Sequence, residues 1–150
     1  MINPEGEDFD ANEVFTLCNL KTKNYLHTHK IKIPDHNKLN EVSACPYNSN
    51  HILEYDLWKF IKTENNFYYI YHPFTQTFLN FHKNCIVCSP SKKEWKIIDF
   101  GRRRNGGFIK IIAIEEEEEV GEVCMMDNQA LLPNHRKLSL CTSNHISHLW

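Results

Sequence analysis

From residue 14 onward, apolar side chains alternate with polar ones over runs of four to six residues, each closed by turn-forming residues. This two-residue period predicts short strands and no amphipathic helix. Residues 14–18 and 25–29 flank the polar turn 20–24 and read as a hairpin. Residues 41–45 form a further strand stopped by Pro46, and 55–61 another, ending in a turn at 64–66. The cycle then restarts. Residues 67–71 and 77–81 flank a turn at 72–76, 85–88 follow, and 94–98 match 57–61 in type and order. The third cycle is less regular, with strands at 108–112, 120–126, 138–141 and 148–150. Its acidic run leaves two readings open, an insertion within one strand or an extra hairpin.

A short motif keeps time with these cycles. Leu26-x-x-His29-Lys30 returns as Leu79-x-x-His82-Lys83 and as Leu132-x-x-His135-Arg136, at equal intervals of 53 residues. Trp58, Trp95 and Trp150 fall at the same stage of each cycle. A threefold repeat of about four short strands predicts an all-β fold, a β-trefoil with pseudo-threefold symmetry, in preference to a β-sandwich. In a trefoil six strands close a barrel and three hairpins cap it. Leu26, Leu79 and Leu132 are then expected in one core layer and the three tryptophans in another. The domain boundaries follow: residues 1–12 as an acidic flexible tail, 13–150 as the trefoil.

Composition adds limits. The chain has 150 residues, 41% of them hydrophobic, with 9 Phe, 6 Tyr and 3 Trp, enough for one well-buried core. Acidic residues cluster at 5–13 and 115–122, which leaves the remainder basic, above all Lys92, Lys93, Lys96 and Arg102-Arg103-Arg104. That basic patch is a candidate for contact with nucleic acid, an anionic lipid or an acidic protein; a solvated surface is the plainer reading. No apolar run reaches membrane-span length and no signal peptide is visible, so a cytoplasmic location is expected, with the lumen of the endoplasmic reticulum as the alternative. Six cysteines are compatible with three disulfides or six thiols, and their apolar settings favour reduced core thiols.

The residues Asn19-Leu20-Lys21-Thr22-Lys23-Asn24-Tyr25-Leu26-His27-Thr28-His29, then Asn40-Glu41-Val42-Ser43 and Asp56-Leu57-Trp58, resemble the MIR repeat. This family is named for protein O-mannosyltransferases, inositol trisphosphate receptors and ryanodine receptors, and includes stromal-cell-derived-factor-like proteins. The second cycle keeps Thr75, Phe78-Leu79, His82 and Trp95, and the third only Leu132, His135 and Trp150. The resemblance implies a non-catalytic β-trefoil module for glycan, peptide or intramolecular contacts.

The candidate ligand-binding residues are His27, His29, Lys30, His82, Lys83, His135 and Arg136, arranged as one His-cation set per cycle. Imidazole and a neighbouring cation donate well to sugar hydroxyls and carboxylates, although such residues also serve to satisfy local backbone groups. Cys85-x-x-Cys88 lacks the second pair that structural zinc takes, and on a strand its members diverge. No metal site and no cofactor is expected. No P-loop, G-x-S-x-G, H-E-x-x-H or dinucleotide fingerprint occurs, so no catalytic residue is assigned and an enzyme is not expected. Two functions follow as expectations. The first is a module recognising glycan or glycosylated or unfolded peptide. The second is a cytosolic factor docking on a large assembly such as a ribosome, the cytoskeleton or a receptor complex. The partner is a glycan or a protein, with the chain a monomer or a subunit of something larger.

Overall fold

The computed structural model describes residues 9, 12–34, 36–46, 53–103, 106–116, 118–131, 135–142 and 149–150. Ten strands are present among them: β1 (Tyr25–Ile33), β2 (His36–Cys45), β3 (Lys59–Lys62), β4 (Tyr68–His72), β5 (Thr77–His82), β6 (Cys85–Ser89), β7 (Glu94–Arg103), β8 (Gly106–Glu115), β9 (Glu118–Gln129) and β10 (Arg136–Cys141). One 3-10 turn, Leu53–Asp56, precedes β3. No helix among the described residues is long and apolar enough to cross a membrane.

The all-β expectation holds, and the trefoil expectation is corrected. Antiparallel pairing runs β2-β6-β5-β4-β7-β8-β9-β10 and back to β2, a closed barrel of eight strands. β1 hangs on β2, and β3 on β4, outside that circuit. The physical reason lies in the third cycle. Glu115 and Glu118 pair across a tight turn, so the acidic run joins β8 to β9 as a hairpin and both strands stay in the wall. β9 then pairs first with β8 and, from Glu122 onward, with β10. At that corner a side chain on Gly121 would lie 3.0 Å from Leu140 Cβ, so glycine eases the close approach of β10. Closure leaves the eight wall strands without a free edge.

Residues 14–18, expected as a strand, make only isolated bridges, Phe15 to Trp58 and Cys18 to Tyr25. Phe9, within the expected tail, stacks on Phe60 with ring centroids 4.3 Å apart; residues 1–8, 10 and 11 lie outside the described residues.

The core joins Leu26, Trp58, Phe60, Ile70, Leu79, Trp95, Ile111 and Trp150 in one buried cluster. Each tryptophan also donates its indole N–H to a buried carbonyl: Trp58 to Leu26 (3.0 Å), Trp95 to Leu79 (2.9 Å) and Trp150 to Val123 (3.3 Å). The first two pairs are those the repeat names. In the third, Val123 stands where the motif places Leu132, which lies outside the described residues. The third copy of the motif is therefore out of step with the structural repeat.

Cys124 and Cys141 form a disulfide between β9 and β10, while Cys18, Cys45, Cys85 and Cys88 are thiols outside any disulfide. The expectation of six reduced thiols is corrected to four. Cys85 and Cys88 stay apart on β6, as a three-residue separation on a strand requires.

Candidate functional site

The inner half of the β1–β2 hairpin, residues 26–29 and 40–45, is buried on both faces, which explains its mixed composition. Tyr25 lies opposite Cys45 and His27 opposite Ser43, so His27, His29, Ser43 and Cys45 share one face. Leu26, Val42 and Ala44 on the other face enter the core. The polar face is covered by the 3-10 turn, which supplies Tyr55 and Asp56, and by His135 just before β10.

Here the structure gathers His27, His29 and His135, three residues that the sequence spreads over two cycles. The ring of His27 sits 4.7 Å from that of His135 and 5.6 Å from that of His29, measured between centroids. His27 Nδ1–H donates to the fully buried carboxylate of Asp56 over 2.8 Å, and Ser43 Oγ lies 2.9 Å from His135 Nδ1. One ligand atom from each of His27, Cys45 and Asp56 falls within 4.8 Å of the others, and all three residues are buried. Burial, aided by the neighbouring His27 and His135, pushes His29 down to about 4. Burial, with the Asp56 charge adding to it, pushes the Cys45 thiol up to about 12. His72 lies on the inner side, donating its Nε2–H to the Tyr55 carbonyl at 3.0 Å and accepting at Nδ1 from Thr75 Oγ1 at 2.7 Å. Its burial also lowers its pKa to about 4.

His82 and Lys83 go elsewhere. His82 ends β5, and Lys83 and Asn84 form the two-residue turn to β6 with φ of 50° and 65°. This left-handed pair is the geometry of a type I′ hairpin turn. His82 stacks edge-on with His36 at 4.3 Å. Together with Lys137 and Glu41 they rim a pocket of about 360 Å³ whose walls include Ile33, Ile86 and Leu138. Glu41 accepts a hydrogen bond from the Leu131 amide at 2.8 Å, and burial raises its pKa.

Of the remaining candidates, Lys30 is exposed with its ammonium 5.4 Å from the Phe74 ring centre, and Arg136 is exposed at the start of β10. The His-cation sets are therefore not three equivalent patches: His29 and His135 enter one cluster and His82 a separate pocket. The basic segment is laced to the acidic run. Lys93 pairs with Glu115 at 3.5 Å, Lys96 with Glu119 at 2.7 Å, and Lys92 lies 5.4 Å from the Tyr69 ring centre. Arg102 and Arg103 extend β7 opposite Gly107 and Gly106, and Arg104 lies outside the described residues.

Sequence reasoning missed Asp56, Cys45 and His36. Asp56 carried one signal, its place in the Asp56-Leu57-Trp58 match; the other two carried none, because their partners are distant in the chain.

No family model and no curated protein sequence matches this chain. Solved structures do. A Caenorhabditis elegans protein of unknown function superposes with a TM-score of 0.72 at 17% identity, over 96% of this chain and 95% of its own. The SDF2-like protein of Arabidopsis thaliana gives 0.70 at 13% identity, over 91% and 90%. The Saccharomyces cerevisiae protein O-mannosyltransferase Pmt1-Pmt2 complex bound to the sugar donor gives 0.70 at 11% identity, over 91% of this chain and 24% of that one. These likenesses are of fold. Two of the three proteins are of kinds the MIR resemblance names, and what they share with this chain is the fold.

Proposed function

We propose that this protein is a non-catalytic MIR-type binding module that takes an unfolded or glycosylated peptide in the pocket between β2, β6 and β10. The pocket rimmed by His36, His82 and Lys83 carries this reading. Its volume suits one ligand side chain or sugar ring, its walls are largely aliphatic, and its rim offers donors on two imidazoles and two lysines. A bare glycan stacks best on an aromatic face, and among the described residues no Phe, Tyr or Trp lines this pocket. An apolar peptide side chain fits the walls, while the rim donates to flanking carbonyls or to sugar hydroxyls. The Cys124–Cys141 disulfide supports an oxidising compartment such as the lumen of the endoplasmic reticulum.

The test is a peptide array of extended apolar segments, with and without a sugar, alongside a glycan array, both probed with the whole chain. Peptide binding is expected, weakened by about tenfold in Lys83→Ala and in Ile33→Ser, as loss of roughly 1.4 kcal/mol at one contact predicts. Empty arrays, or peptide binding indifferent to both substitutions, overturn the proposal.

A further inference from the structure

The polar face of the β1–β2 hairpin holds a second site that the peptide-binding reading does not use. Its donors come from three separate elements: an imidazole on β1, a thiol at the end of β2 and a carboxylate in the 3-10 turn. The ligand atoms of His27, Cys45 and Asp56 all lie within 4.8 Å of one another, and none of the three residues is exposed. A structural polar cluster needs only paired donors and acceptors. This one brings together a nitrogen, a sulfur and an oxygen donor, each of a type that ligates transition metals.

From this geometry we infer that His27, Cys45 and Asp56 form a binding site for a borderline-soft divalent cation, zinc above others. A point shared by three atoms so spaced lies no more than about 2.8 Å from each, and contraction by about half an ångström gives zinc–ligand lengths of roughly 2.0–2.3 Å. The mixed N, S and O set excludes calcium and magnesium, which take oxygen donors. His135 borders the three donors: its ring lies 4.7 Å from that of His27, and Ser43 Oγ lies 2.9 Å from its Nδ1. On binding, the Cys45 thiol gives its proton to solvent and the cation takes over the contact that His27 and Asp56 now share through a hydrogen bond. The bound ion clips the hairpin to the 3-10 turn. Metal thus stabilises the barrel where β1, which lies outside the closed circuit, is attached.

The experiment uses the full chain with its disulfide intact, stripped by a chelator and titrated with zinc chloride and, separately, cobalt chloride. One equivalent is expected to bind, with a rise in the unfolding temperature and, for cobalt, a thiolate charge-transfer band with tetrahedral ligand-field absorption. Asp56→Asn and Cys45→Ser should each weaken zinc by about 100-fold or more, and Cys45→Ser should abolish the charge-transfer band, while Cys85→Ser changes neither. If Cys45→Ser does not fold, the wild-type cobalt spectrum together with Asp56→Asn and His27→Gln carries the test. The inference is overturned if the wild type shows neither a thermal shift nor a cobalt–thiolate band. It is equally overturned if Asp56→Asn binds as tightly as wild type or Cys85→Ser removes the signal.

Discussion

Single residues here are governed by burial more than by their place in the motif. His72 is fully buried beside Trp58, ring centroids 4.8 Å apart, and its pKa falls from the ordinary 6.5 to about 4. Between those values the unfolded chain takes up a proton that the native state refuses. Stability is therefore intact above pH 6.5 and lost as pH falls from 6.5 toward 4, by about 1.4 kcal/mol per pH unit for this one group. His72→Gln should flatten that part of the urea-midpoint profile between pH 7 and pH 4.5; an unchanged slope would mean that another group sets it. His29 is held down in the same way. His29 and His72 are thus neutral rings packed into the fold near neutral pH.

At the scale of elements, turns and corners decide what the strands do. Lys83 follows its motif histidine as Lys30 does, yet Lys30 sits inside β1 and Lys83 in a left-handed turn. The same dipeptide therefore has different geometry in successive cycles. β9 bends around Gly121 to serve β8 and β10 in turn, and the disulfide ties its second half to β10 across 17 residues. Closing a loop of that length is worth about 3 kcal/mol. Reduction, or Cys124→Ser, should lower the denaturation free energy by roughly that amount without changing the far-ultraviolet spectrum. Equal stability in oxidised and reduced samples would show that the bond adds nothing.

The whole molecule behaves as one closed wall around one core. Trp58, Trp95 and Trp150 belong to the same buried cluster, and β10 joins β2, β6 and β9. Unfolding should therefore be a single cooperative transition in which tryptophan fluorescence and circular dichroism coincide; separated midpoints would reveal independently melting parts. How much of this could be read beforehand differs by feature. Alternation marked the regions of nearly all ten strands, because a side chain on a strand faces one side or the other of a sheet. The repeat marked Leu26, Leu79 and the tryptophans as core, because equivalent cycles bury equivalent residues. Strand order and count escaped it: whether an acidic run is an insertion or a turn depends on the hydrogen bonds across it. The site escaped it further. His27, Cys45, Asp56 and His135 meet through a hairpin register, a 3-10 turn and the return of β10, contacts that leave no spacing in the chain. The sequence alone thus determined strands, core residues and the general kind of fold, since these follow from local periodicity and burial. Only the tertiary structure decided the eight-stranded closure and the meeting of imidazole, thiol and carboxylate, because both depend on pairings between distant segments.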